Sequence, residues 1–510
     1  MSALYVGIAR ARLGPAAALI DTERGIAACE ENRLTRARQA PTLGGPDLAI
    51  AELLAFFGRN DGEITDTAVV RDEDTPPWSA AGRREVAAHQ AHAEYAFRAS
   101  GFDAALVVTC DASVPRGWSA WHYRGTGASD AVLLDVDAGD FPIARVYSEL
   151  TAGLNLRPAR DEHLTEAMAR AGVDRQRALA DAIAVTDAGM QVPTGFRELV
   201  SDAAQGDASR QRDVAASVQR RLGECLVELL RRLGQASGAR DVCLSGGLFF
   251  NTDLNTTAAH CGLFDRTFLP AHPGRSGSAM GAALLAAGAA GAPGVPGVSG
   301  AYLGPAYDAA QINATLTNCK LSFDLQRDEQ VVDTVLDAIT AGRLVGWFQG
   351  RLEWGPRALG HRTVLADPFS PYVLDNLNGY LKKRAAFRTY GVSVPRARLG
   401  DLFEVPAGLT GPPQPSPFMQ YEYTPRDPER FRTLLPDGAT TVRVHSVGED
   451  EPRYLRLLER WGEASGTPAL VNTSFNGFHE PLVCSPRDAI RVFYGTGLDL
   501  LAMDGFVMRK

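Results

Sequence analysis

The chain has 510 residues, too many for one ordinary core and enough for two or three domains. Hydrophobic residues make up 45% and charged residues 22%, the balance of a soluble globular protein. The formal net charge of −8 argues against a nucleic-acid binder, whose footprint is a basic excess, but is compatible with a local basic pocket.

The opening segment YVGIARARLGPAAALID reads as two short strands joined by a Gly/Pro turn, and Ile26 to Glu30 as a third strand. Glu85 to Phe97 reads as a helix carrying His89 and His92. AALVVTCD, ending at Asp111, is a buried strand, and DAVLLDVDAGD continues a sheet. From Asp213 to Leu233 apolar residues recur at helical spacing with arginines on the other face. DVCLSGG is a strand ending in a glycine turn, and GSAMGAALLAAGAA a small-residue helix suited to close packing. Gly288 to Gly300, rich in Gly, Pro and Ala, is the clearest linker. Beyond it, Val331 to Ala341 reads as a helix, LVGWFQG as a strand and VLDNLNGYLKKRAAF as a helix. LVNTSFN is a strand and turn, SPRDAIRVFYGTG a helix with Ser485 as N-cap, and LLAMDGFVMRK a strand. Alternating strands and helices predict α/β architecture in both halves, with no internal repeat evident.

The seven cysteines (Cys29, Cys110, Cys225, Cys243, Cys261, Cys319 and Cys484) are scattered without a C-x-x-C pair, as expected of reduced thiols in a cytoplasmic protein. The N-terminal residues lack the pattern of a secretion signal, and no apolar run reaches about 18 residues, so no membrane span is expected.

Cations cluster in the second half. GRLEWGPRALGHRTVLADP, from Gly350 to Pro368, packs Arg351, Arg357, His361 and Arg362 among glycines. Lys382, Lys383, Arg384 and Arg388 fall close together, and NTSFN follows from Asn472 to Asn476. In an acidic protein this suits a polyanionic small molecule, since Arg offers forked donors to phosphate oxygens and Lys a point charge. Ser474 and Asn476 can add neutral hydrogen bonds. The competing reading for any single Lys or Arg is a solvated helix face. It suits a loop as dense in Gly and Arg as GPRALGHR poorly.

These segments, with LKKRAAFRTYGVSV, SPFM at Ser416 to Met419, TPALVNTSFNGFHEPLVCSPRDAI and TGLDLLAMDGFVMRK, resemble the C-terminal half of the nodulation-protein-U and cephem carbamoyltransferase family, a YrdC-like domain. The resemblance implies that Lys382 and Arg384 match a K-x-R element and Ser474 and Asn476 an S-x-N element that hold nucleotide phosphates. Ser416 and Asn472 lie in the same matched segments and join the nucleotide-binding set. Arg357, His361, Arg362, Arg388 and Arg443 match positions around carbamoyl phosphate and the adenylate. Ala385 stands where the family usually has Glu, and Thr389 where it usually has Pro; neither removes a cation. The implied chemistry is cleavage of carbamoyl phosphate and attack of the carbamoyl carboxylate on the α-phosphate of ATP, giving carbamoyl-adenylate and pyrophosphate. Such transfer rests on positioning and stabilisation of spread negative charge, with Mg²⁺ held through the phosphates.

In the first half, LSGGLFFNTDLN carries Gly246, Gly247, Asn251 and Asn255 on a strand and Gly-Gly turn, whose amides can approach a phosphate. With RDVAASVQRRL and MGAAL it follows the order of the family's N-terminal half. That resemblance implies an actin-like ATPase fold, similar to the tRNA threonylcarbamoyl transferase, that binds the adenylate and transfers the carbamoyl group. The family's metal pattern H-H-x-x-H-A falls on Ala88-His89-Gln90-Ala91-His92-Ala93, and its next aspartate on Asp111. Its later metal aspartate falls on Arg275, and its opening H-D-x-S on Leu13-Gly14-Pro15-Ala16. His92 and Asp111 alone do not complete a site for Fe²⁺ or Zn²⁺, so neither ion is expected; both residues remain candidates for metal ligation or for a general base.

The expectation is therefore an actin-like transfer domain (1–285), a linker (286–325) and a YrdC-like adenylate-forming domain (326–510). The chain would carbamoylate a hydroxyl or amine of a small-molecule acceptor in specialised-metabolite biosynthesis, using ATP and carbamoyl phosphate. Two alternatives stand beside it: a family member whose drifted, metal-free transfer half serves an unusual acceptor or partner, and a non-catalytic ATP-binding regulator. Acceptor choice is assigned to the loops around 40–84, 112–130 and 186–210, and a homodimer is left open.

Overall fold

A computed structural model describes residues 3–10, 14–37, 45–71, 83–112, 114, 117–125, 131–135, 138–292, 295–409, 415–435 and 439–510. Leu13, and parts of the loops 40–84 and 112–130, lie outside the described residues. Among those described, no helix is long and apolar enough to cross a membrane.

The chain folds into mixed α/β layers. Five strands, β1 (Leu4–Ala9), β2 (Ala16–Asp21), β3 (Gly25–Glu30), β4 (Ile64–Arg71) and β5 (Arg84–Ala87), form a sheet in the order β3-β2-β1-β4-β5. Here β1, β2 and β3 are antiparallel neighbours, while β4 and β5 join in parallel. A second sheet uses β6 (Ala105–Cys110), β7 (Trp118–Tyr123) and β8 (Ala131–Leu133). A small hairpin of β9 (Ala184–Thr186) and β10 (Gly189–Gln191) follows apart from it, and β11 (Asp241–Ser245) and β12 (Arg266–Phe268) complete the sheet. Its order is β12-β11-β6-β7-β8. Read from β8, it repeats the first sheet in strand order and in its pattern of antiparallel and parallel pairs. The sequence reading found no repeat; the duplication lies in topology, which different apolar residues can encode.

Two helices lie between these sheets. Gly281 in the helix Ser278–Ala289 faces Ala91 in the helix Ala88–Ser100 so closely that a Cβ would come within 1.8 Å of the Ala91 carbonyl oxygen. The small-residue run in the sequence serves this close approach. On the outer face of the second sheet runs the helix Ala208–Ser237, its apolar stripe of Val214, Val218, Leu222, Leu226, Leu229 and Leu233 fully buried.

The second half is built on one nine-stranded sheet. Its strands are β13 (Asp324–Leu325), β14 (Val345–Phe348), β15 (Arg362–Ala366), β16 (Gly391–Pro395), β17 (Glu422–Tyr423), β18 (Val442–Val447), β19 (Leu470–Ser474), β20 (Leu500–Met503) and β21 (Phe506–Arg509), in the order β13-β21-β20-β14-β15-β19-β16-β18-β17. The helices Asp328–Thr340 and Pro452–Ser465 pack on one face over Val345, Trp347, Leu365 and Leu470. The helix Pro486–Gly495 starts at Ser485, whose side chain accepts from the Asp488 amide as the N-cap reading expected.

Three segments differ from the reading of the sequence. Residues 84–87 are strand β5, so the histidine helix begins only at Ala88. VLDNLNGYLKKRAAF forms one short turn and a π-helix, Asn376–Lys382, that ends where Lys383 turns left-handed at φ 47°. LLAMDGFVMRK is a hairpin, β20–β21, because Asp504-Gly505 turns the chain.

The halves are joined by more than the linker. Ala301 to Pro305 exchange main-chain hydrogen bonds with Ala28 on one side and with Leu352 and Trp354 on the other. One hydrophobic cluster runs from the second sheet of the first half into the nine-stranded sheet.

Candidate active site

Three groups of polar side chains are gathered at the ends of strands, where open α/β sheets present their ligand sites.

The first group sits beyond β6 and β11. Asp111 follows β6 and is 4% exposed. Its Oδ2 accepts from the Gly247 amide at 3.2 Å and lies 3.8 Å from Nε2 of His92; its Oδ1 lies 3.6 Å from Nε of Arg275. The turn behind it needs glycine: Gly246 has φ +105°, and a Cβ there would come within 2.2 Å of the Cys110 carbonyl oxygen. His92 is buried, and burial pushes its pKa down to about 4, against the pull of Asp111, so the ring is neutral. His89 shares a 2.5 Å hydrogen bond with Thr109 Oγ1. Among the described residues no three His, Cys, Asp or Glu side chains are gathered to hold a metal ion.

Asn251 and Asn255 do not face this centre. Asn251 caps the helix Thr252–His260 through its Oδ1, and its amide donates to Tyr147 Oη and Gln219 Oε1. Asn255 donates to the carbonyls of Phe249 and Gln420.

The second group lies between the halves. Arg357, from the loop after β14, donates to the Phe250 carbonyl at 3.2 Å, three residues along from the Gly247 amide that holds Asp111. Around it stand Arg443, Arg170, Glu166 and Glu422. Nε of Arg170 donates to Glu422 at 3.0 Å, and its Nη2 bonds both Glu422 and Glu166. Thr252 ties to the same two carboxylates. Burial pushes the pKa of Arg357 down to about 9, with Arg443 and Arg170 adding repulsion and only Glu166 opposing it. Nε of Arg443 is buried with no hydrogen-bond partner among the described residues. Both observations describe buried guanidinium groups whose donors the protein does not fully use. The sequence reading missed Glu166, Arg170, Thr252 and Glu422. The i,i+4 spacing of Glu166 and Arg170 was visible, but such a pair on a helix normally reads as a solvated face.

The third group closes the π-helix. Lys382, 8% exposed, donates from Nζ to the Asn476 Oδ1 at 2.6 Å and to the Ser474 carbonyl and hydroxyl. The π-helix thus presents its last side chain against the end of β19. Arg384 stacks at 4.1 Å on Tyr390 and donates to Asn378 and the Thr389 carbonyl. Its pKa is lowered by burial and by Arg443, which sets Arg384 within electrostatic reach of the second group. Arg388 lies at the foot of the same turn, its amide bonded to the Ala385 carbonyl.

The remaining candidates are engaged with the protein itself. Arg362 is fully buried over Phe348 and donates to the carbonyls of Gln349, Gly350 and His361. His361 stacks on Tyr302, and its ring nitrogens face the Arg351 carbonyl and the Glu451 carboxylate. Asn472 bonds Ser393 Oγ at 2.9 Å beside His445, inside the sheet. Ser416, left-handed at φ 54° and fully buried, donates to the Val444 carbonyl.

Against known proteins, residues 85–284 match the family model "Carbamoyltransferase N-terminus" and residues 336–510 match "Carbamoyltransferase C-terminus". The chain belongs to the carbamoyltransferase family. It is 32% identical over 305 residues to the nodulation protein NolO of Bradyrhizobium diazoefficiens, a match covering 59% of this chain and 55% of NolO. It is 30% identical over 300 residues to the 3'-hydroxymethylcephem-O-carbamoyltransferase of Amycolatopsis lactamdurans, covering 58% of this chain and 54% of that enzyme. The chain spans about half the length of the curated relatives it matches. Among solved structures, the activator of the 2-hydroxyisocaproyl-CoA dehydratase from Clostridium difficile with bound ADPNP aligns with a TM-score of 0.39 at 12% identity, covering 59% of this chain and 100% of that one. That score lies below the level from which a shared fold follows.

Proposed function

We propose that this chain is an ATP-dependent carbamoyltransferase that forms carbamoyl-adenylate from carbamoyl phosphate and passes the carbamoyl group to a hydroxyl or amine of a small-molecule acceptor. The observation that carries this reading is the line of cations from Lys382 and Arg384 through Arg443 to Arg357, ending one short turn from Asp111. Clustered guanidinium and ammonium groups of this kind suit a polyphosphate and an acyl phosphate.

In this reading the second half is YrdC-like and the first actin-like, the latter supported by the duplicated sheet topology. Lys382, Ser474, Asn476 and Arg384 receive the ATP phosphates. Arg357 and Arg443 hold carbamoyl phosphate and the adenylate. Water takes the carbamoyl group from phosphate, giving carbamate and inorganic phosphate. A carbamate oxygen then bonds to the α-phosphorus of ATP, the bond to the β-phosphate oxygen breaks, and pyrophosphate leaves. The acceptor heteroatom bonds to the carbamoyl carbon, AMP leaves, and the acceptor proton passes to a base, His92 or Asp111. Mg²⁺ would arrive on the triphosphate and screen its charge, since the described residues offer no carboxylate cluster for it. All seven cysteines are free thiols, which supports a cytoplasmic setting.

Product analysis tests the reading. With ATP and carbamoyl phosphate the purified chain should release pyrophosphate and form carbamoyl-adenylate, and neither without carbamoyl phosphate. Production of ADP would count against it, and no nucleotide turnover would favour the non-catalytic alternative.

A further inference from the structure

The metal pattern implied by the family does not fit this chain. It asks for several His and Asp ligands; among the described residues His92 and Asp111 come together, 3.8 Å apart, while His89 is held against Thr109 and His272 against Glu30, and no group of three such side chains is gathered to hold an ion. Two ligands do not complete a tetrahedral or octahedral site. The place is taken by a cation of the protein: Nε of Arg275 lies 3.6 Å from the same Asp111 carboxylate.

Arg275 is held there by its backbone. The residue opens the short turn Arg275–Gly277 ahead of the helix Ser278–Ala289. Its carbonyl accepts from the Ser278 hydroxyl, and the neighbouring Ser276 hydroxyl donates to the Gly14 carbonyl. Just before it, a Cβ on Gly274 would come within 2.2 Å of the Phe250 ring, and a Cβ on Gly277 within 1.8 Å of the His272 carbonyl oxygen. The turn therefore fixes the Arg275 main chain beside the Asp111 centre. A divalent ion bound to Asp111 would meet a full positive charge within a few ångströms, and the two would compete for one carboxylate. The Arg275 side chain is 29% exposed, so an anionic group can reach it from solvent.

We propose that Arg275 is the resident cation of the Asp111 centre, standing in the role of a metal ion, and that this half of the chain binds no transition metal. Its guanidinium would meet the anionic oxygens of a phosphoryl or carbamoyl group. That last role rests on the reaction proposed above; the claim about metal does not.

The test is metal content. Wild-type chain equilibrated with Fe²⁺ or Zn²⁺ and dialysed should retain no stoichiometric ion by elemental analysis. Arg275→Asp, which adds a carboxylate beside Asp111 and His92, should retain about one ion per chain. One ion per wild-type chain, lost in His92→Ala, would overturn the proposal. So would an Arg275→Asp variant with a native circular dichroism spectrum that retains none. Should that variant fail to fold, the wild-type arm decides by itself. Because metal content needs no turnover, a chain that binds no metal and makes no pyrophosphate would refute the proposed reaction without touching this inference.

Discussion

The cations of GRLEWGPRALGHR divide into two kinds once their partners are known. Arg362 and Arg351 hold main chain: Arg362 binds three carbonyls, and Arg351 binds those of Ile26, Leu303 and Gly304 across the linker. Glu353 does the converse, its Oε1 accepting from the amides of Leu359, His361 and Arg362. Arg357 faces the crowded positive site between the halves. The sequence located these residues as a group, and density of Arg in a glycine-rich loop pointed to an anion. It could not separate the two kinds, because a buried irregular loop needs charged side chains to satisfy its own backbone. Arg362→Ala should therefore cost about 3–5 kcal/mol of stability, since several buried carbonyls lose their donor. Arg362→Lys should recover only part, a single ammonium being unable to span three carbonyls. Denaturant midpoints measure both, and a wild-type midpoint for Arg362→Ala would refute the structural role.

At the scale of elements, what followed from periodicity was legible. The apolar stripe of Ala208–Ser237, the buried strands β6 and β11, and the Ser485 cap were all visible in local pattern. The errors fell where long-range partners decide. Residues 84–87 join β4 as a parallel strand, a pairing with no local signature. NLNGYLK has helical composition, yet its last residue is drawn to the end of β19 by Ser474 and Asn476, and the segment winds as a π-helix. At the candidate site, K-x-R and S-x-N were legible as motifs, but their contact across ninety residues of chain is a property of the fold. Glu166 and Glu422 were invisible for the same reason: each is an ordinary acidic residue until the halves meet around Arg170.

The whole molecule is tied together at that point. Arg170 and Glu166 come from the first half, Thr389 and Glu422 from the second, and one guanidinium bonds all three partners. Removing it leaves two buried carboxylates without their closest cation, a loss of about 3–5 kcal/mol. Arg170→Ala should lower the calorimetric midpoint and separate the unfolding of the halves, where wild type should show one transition. An unchanged single transition would show that the apolar contacts alone couple them.

The same junction carries the proposed reaction, in which the second half would make an adenylate at Lys382 and deliver it towards Asp111. The direct test is carbamoyl-phosphate-dependent pyrophosphate release by wild type and by Lys382→Ala. Wild type should release pyrophosphate steadily, and a variant that remains folded should lose roughly 10- to 150-fold for each charge-assisted contact removed. Release by folded Lys382→Ala at the wild-type rate would contradict it.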